Sequence, residues 1–175
     1  MSKAVGTSKI RVDAYDKVTG RSMYTEDLCD SSALIIKIVH STVAHGIVQE
    51  VDATEALKVP GVVKVLTCFD VPEIPFATAG HPWSTDPSHQ DIDVRHLLNY
   101  HVRFYGDDVA VVVADNEIAA NQAARLVKVR YQELPFVLDV EEAMKPGAPA
   151  IHARWPDNIF KHTQNNRGDY AEAIK

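Results

Sequence analysis

An α+β fold is predicted by three observations. Two apolar runs, Leu34 to Val39 and Val109 to Ala114, are rich in β-branched residues. A third segment alternates with period two: Val127, Val129 and Tyr131 against Lys128, Arg130 and Gln132. Helical stretches lie between such segments with only brief connections, and a β-β-α-β order of this kind suits α+β better than a regular doubly wound sheet.

From the N-terminus, Gly6 to Gly20 is polar and turn-rich. Asp13 stands where it would cap a single helical turn through Lys17, and Gly20 would end that turn. Leu34 to Val39 follows as a strand interrupted only by Lys37, and His45-Gly46 reads as a turn. Ile47, Val48 and Val51 make a second strand. Asp52 and Glu55 form a capping-box-like start to a short helix stopped by Pro60-Gly61, and Val62 to Leu66 supplies a third strand.

Val71 to Leu98 is rich in Pro, His, Asp and Ser. A loop of that length within a compact domain serves binding or assembly more often than connection alone. Phe76, His81 and Trp83 are its candidate interface residues.

The second unit begins at Val102. Val109 to Ala114 is a continuous apolar run with no alternation, as expected of a strand covered on both faces. Asp115 or Asn116 offers an N-cap oxygen, and Ile118, Ala119, Gln122, Ala123 and Leu126 form a mostly apolar stripe of a short helix. The alternating strand through Gln132 ends at Leu134-Pro135, since proline has no N–H for a ladder. Asp139 with Glu142 opens a last short helix, closed by Pro146-Gly147.

Composition narrows the function. With 175 residues, 46% hydrophobic, the chain suffices for one compact domain and some extra length. A net charge of -6 with dispersed Lys and Arg argues against a nucleic-acid surface. No apolar run is long enough to span a bilayer, and the first residues lack the apolar centre of a signal peptide, so a cytoplasmic location is expected. Cys29 and Cys68 have no metal-ligand or disulfide-framework spacing, and Cys68 is placed for the core.

No segment forms a convincing active site. The eight histidines share no helical face and no Cys/His framework, so no metal site is expected. Asp107-Asp108 after Gly106 reads as turn chemistry, with carboxylates accepting local backbone N–H groups. His40 and Ser41 are adjacent strand residues and point to opposite faces, which rules out a dyad. Trp83 and Tyr105 are either partner anchors or partly buried aromatics.

Several motifs occur in family order: Asp16-Lys17-Val18-Thr19-Gly20-Arg21, Tyr24-Thr25-Glu26-Asp27-Leu28, Pro60-Gly61-Val62-Val63-Lys64-Val65-Leu66-Thr67, Val102-Arg103-Phe104-Tyr105-Gly106-Asp107-Asp108 and Val129-Arg130-Tyr131-Gln132-Glu133-Leu134-Pro135. From about Val5 onward the chain resembles the molybdenum-binding large subunit of xanthine dehydrogenases and aldehyde oxidases, and is most similar to the bacterial separate-subunit xanthine dehydrogenases. The resemblance implies an α/β hammerhead domain, a mixed sheet with two strand-helix-strand units, over 1–147. Residues 148–175 would be a linker and the start of the following molybdopterin-binding domain, since Gly168-Asp169-Tyr170-Ala171-Glu172-Ala173 resembles its opening segment.

It further implies an oxidoreductase that hydroxylates a purine or aldehyde carbon with water-derived oxygen. The complete enzyme would carry a molybdopterin-type molybdenum cofactor, iron-sulfur clusters and FAD, none of them in this chain. The partners implied are the remaining molybdopterin-binding domains, the iron-sulfur subunit and the FAD subunit. Catalytic, cofactor-binding and metal residues are all expected to be none, because the family's cofactor contacts lie beyond the matched segments and this piece alone would be inactive. The alternative is a stand-alone, non-catalytic binding or assembly module with the same fold.

Overall fold

Strand β5 (Asp108–Ala114) organises the fold because its side chains are apolar on both faces. The computed structural model describes residues 5–30, 32–76, 95–160, 162 and 167–174. The chain divides into two bodies, Met1–Leu34 and Ile35–Lys175.

In the second body, β5 is the centre of a three-stranded antiparallel sheet, between β1 (Ile35–His40) and β3 (Val62–Thr67). Ile35 pairs with Ala114 and Val39 with Ala110, and the register shifts once before His40 meets Asp108. A second antiparallel sheet has β2 (Gly46–Asp52) in the middle, flanked by β4 (His101–Val102) and β6 (Lys128–Glu133). The expected strands are all present. They are distributed over two small sheets, and among the described residues every strand pairing is antiparallel.

Alternate residues of β5 serve two cores. Val112 and Ala114 face helix α2 (Glu117–Leu126), where Ala119, Ala120 and Ala123 are buried together with Ala56 and Val59. Val109, with Val111 beside it, joins Val48, Cys68, Leu98 and Val102 between the sheets. Val102, Val109 and Val112 are wholly enclosed, and burial of each such side chain contributes roughly 1.5–3 kcal/mol.

Helix α2 departs from the expected stripe. Ala119, Ala120 and Ala123 face the sheet while Ile118 is 80% exposed and Leu126 lies at the rim. Alanine wins the inner face because a side chain of one carbon lets the helix close on the sheet. Asn116, of the two cap candidates, accepts the Ala119 N–H at 2.8 Å.

Two other expected caps differ. The Asp52 carboxylate accepts from Thr54 N–H at 2.9 Å, and only a 3-10 turn, Ala56–Lys58, follows. In the first body, Asp13 makes no cap bond to α1 (Ala14–Val18). Its carboxylate pairs instead with Arg11 at 2.9 Å and Lys17 at 2.6 Å. Asp139 does cap α3 (Val140–Ala143), accepting from the Glu141 and Glu142 N–H groups. Near the C-terminus Asp169 caps the single turn α4 (Tyr170–Ala173).

His45-Gly46 is not a free turn: His45 is buried and Gly46 is the first residue of β2. A Cβ on Gly46 would stand 2.9 Å from the Gln132 carbonyl oxygen, so close backbone approach requires glycine there.

Candidate functional site

The long polar segment is closed at its base. Phe76 and Arg95 form an antiparallel bridge, with Phe76 N–H donating to the Arg95 carbonyl at 2.8 Å. Phe76 is 43% exposed, so this candidate interface residue has surface to offer. His81 and Trp83 lie outside the described residues. Tyr105, on the turn before β5, is 73% exposed, the orientation an anchor requires.

Next to that bridge, Asp107 and Asp108 divide the work of the turn. Asp107 is buried, accepting from Asn99 Nδ2 at 2.8 Å and from the N–H groups of Arg103 and Asp108 at 3.1 and 3.0 Å. Burial raises its pKa, against the lowering effect of those backbone donors. Asp108 holds Arg95 at 2.9 Å and His40 Nδ1 at 3.0 Å. The Arg95 guanidinium also lies over the Phe104 ring, 5.4 Å from its centre. These carboxylates therefore fix the base of the segment, in line with their reading as turn chemistry.

A second cluster joins three parts of the chain. His45 Nδ1 lies 2.7 Å from the Pro135 carbonyl, and its Nε2 lies 3.0 Å from His101 Nε2, with the two rings stacked. Arg103 reaches His101 Nδ1 at 3.1 Å and donates from Nε to the Ile151 carbonyl at 3.2 Å. Burial, then the Arg103 cation and the neighbouring His45 and His152, bring the His101 pKa down to about 4. His152 is lowered as well, first by burial. Sequence reasoning missed this cluster, because 56 residues separate the two histidines and only the pairing of Ile47 with His101 brings them together.

Chemically, the cluster is structural. Both nitrogens of each stacked ring are engaged, and Ser41 spends its hydroxyl on the Val43 carbonyl at 2.9 Å. Among the described residues, no three His, Cys, Asp or Glu side chains are grouped to hold a metal ion. Cys68 is buried and its thiol pKa is pushed up to about 11, chiefly by burial, so it is no nucleophile at neutral pH.

Residues 19–135 match the aldehyde oxidase and xanthine dehydrogenase a/b hammerhead domain family. The chain belongs to this family. The chain is 42% identical over 165 residues to the putative xanthine dehydrogenase molybdenum-binding subunit XdhA of Escherichia coli (strain K12), covering 94% of this chain and 22% of that protein. It is 33% identical over 134 residues to the carbon monoxide dehydrogenase large chain of Hydrogenophaga pseudoflava, covering 77% of this chain and 16% of that one. Its fold matches the aldehyde oxidoreductase of Desulfovibrio desulfuricans with a TM-score of 0.72 at 35% identity, over 86% of this chain and 17% of that one. The chain thus spans about a fifth of the length of such relatives.

Proposed function

We propose that the hammerhead domain is a non-catalytic structural domain of a xanthine dehydrogenase-like molybdenum hydroxylase, supporting oxidation of a purine or aldehyde by the complete enzyme. The observation that carries this reading is the apolar surface left open on the Ile35–Lys175 body. On the sheet face away from α2, Ile36 is 63% exposed and Ile38 is also exposed, and Val63, at the register shift of β3, is exposed as well. A water-facing sheet normally places polar residues there, so this face suits a neighbour within a larger protein. The likeness to a molybdenum-binding subunit supports a neighbour from the same kind of protein.

In this reading molybdopterin, iron-sulfur clusters and FAD belong to other domains and subunits. Residues 1–147 act as the hammerhead domain, and 148–175 lead into the following molybdopterin-binding domain. No helix among the described residues is long and apolar enough to cross a membrane, which suits a cytoplasmic enzyme.

The segment 71–98, with Phe76, His81 and Trp83, is assigned to assembly with the rest of the large subunit or the iron-sulfur subunit. Amide exchange across it should slow on going from the isolated chain to the assembled enzyme. Equal exchange in both states rejects that role.

A further inference from the structure

A groove of about 460 Å³ runs between the two sheets of the Ile35–Lys175 body, lined by residues of β1, α2 and β6. Its β1 wall comprises four consecutive residues, Lys37, Ile38, Val39 and His40. Successive side chains of a strand point to opposite faces, so a cavity touched by four in a row lies along the strand's edge rather than on one face. That edge is free: among the described residues β1 pairs with β5 alone, and β6 with β2 alone. The β6 wall is different in kind. Val129 and Tyr131 are alternate residues of β6, and Val127, just before it, continues that face, so the groove floor is one apolar side of the strand. Ala124 and Asn121 of α2 close the third side.

The charge is one-sided. Lys37, His40 and Arg125 line the groove and no acidic residue does, on a chain whose net charge is -6. His40 is held by Asp108. Neither Lys37 nor Arg125 is ion-paired among the described residues.

We propose that this groove takes an extended, acidic peptide segment, which adds to the free edge of β1 as a further strand and sets its carboxylates between Lys37 and Arg125. Backbone groups of β1 supply sequence-tolerant hydrogen bonds, the Val127–Val129–Tyr131 side receives alternate apolar side chains, and the two cations select for carboxylates. Four residues of strand edge span roughly 13 Å at about 3.3 Å per residue, enough for one short segment. In taking that segment to come from another domain or subunit of the enzyme, the inference rests on the assembly reading above. A helix is disfavoured, because the free edge offers unpaired N–H and C=O groups that only an extended backbone satisfies.

The test uses a fluorescein-labelled heptapeptide of alternating valine and glutamate with blocked ends, and its lysine counterpart. Anisotropy should show the glutamate peptide binding, with the double variant Lys37→Gln/Arg125→Gln weaker by about tenfold, that is about 1.4 kcal/mol. Bound peptide should slow amide exchange in β1 and leave β3, the opposite edge, unchanged. Near-UV circular dichroism establishes that the variant keeps the parent fold, and Lys37→Arg should restore binding.

Absence of binding, equal affinity for the lysine peptide, or binding without protection of β1 would each overturn the proposal. So would displacement by inorganic phosphate with no effect on β1 exchange, which would make the groove a simple anion site. Failure of the peptide while the domain still co-purifies with the rest of the large subunit rejects the groove and leaves the assembly reading intact. Peptide binding without co-purification does the reverse.

Discussion

His45 and His101 face one another through their Nε2 atoms at 3.0 Å, and one arrangement of protons satisfies both rings. The Pro135 carbonyl only accepts, so His45 Nδ1 carries a proton. Arg103 only donates, so His101 Nδ1 is bare and its Nε2 carries the proton, given to the bare Nε2 of His45. The pair is therefore neutral, and a proton added to either ring sets two N–H groups against each other or displaces Arg103.

This relationship fixes a pH dependence. His101 has a folded pKa of about 4, below its ordinary 6.5, so the unfolded chain takes up the proton first. The stabilisation is complete above about pH 6.5 and is lost as pH falls toward 4. The loss should be about 1–2 kcal/mol, below the full linkage value because the ring is only partly buried. Urea midpoints measured from pH 7.5 to 4.5 should fall with this slope, and His101→Gln should flatten it. An unchanged slope in the variant would dissociate the pair from acid sensitivity.

Gly61→Ala should destabilise the domain by about 2 kcal/mol or more. Gly61 has φ +92°, and a Cβ there would collide with the Asp115 carboxylate and press on Ala119 Cβ at 3.2 Å. Its carbonyl also accepts the Asp115 N–H at 2.9 Å, tying the start of β3 to the start of α2. Thermal melting checks the effect, with Gly147→Ala as comparison, where the added Cβ meets nothing within 4 Å.

Asn158 ties the segment after α3 at three points. Its Oδ1 accepts the Ile151 N–H at 2.9 Å, and its Nδ2 donates to the carbonyls of Ala143 and Pro149 at 2.9 and 3.0 Å. Its φ of 58° is one that asparagine tolerates better than most residues. Asn158→Gly keeps the backbone conformation and removes the three bonds. Proteolysis within 148–160 should quicken severalfold while exchange in β5 stays the same. Parallel acceleration at β5 would show that the segment is part of the main cooperative unit.

The two thiols should differ sharply. Cys29 is exposed, whereas Cys68 is buried with its pKa raised to about 11. Ellman's reagent at pH 8 should modify one thiol quickly and the second only on unfolding. Two fast thiols would contradict the packing of Cys68 against Val48 and Val109.

The strands were legible in the sequence because β-branched runs such as Val109 to Ala114 have no other easy home, and Cys68 was legible as a core residue for the same reason. The facing of α2 was not. Large Ile118 and Leu126 attract any apolar count, yet the sheet selects the small Ala119, Ala120 and Ala123. Leu98 reads as the end of a polar loop, but it is buried, as is the following Asn99, which satisfies Asp107. The His45–His101 pair depends on the register of β2 with β4, which no local pattern encodes. Membership of the hammerhead family was legible through ordered motifs such as Val102 to Asp108 rather than through any catalytic pattern in the sequence.

In the proposed function this domain supports a molybdenum hydroxylase without holding its cofactor. The most direct measurement is molybdenum content and xanthine oxidation for three preparations: the isolated chain, the remaining large-subunit domains with their iron-sulfur and FAD subunits, and all of them co-expressed. Molybdenum and activity are expected in the co-expressed assembly, neither in the isolated chain, with a loss of both when the hammerhead domain is omitted. Near-stoichiometric molybdenum in the isolated chain, or full activity of the remainder without it, would overturn the proposed role.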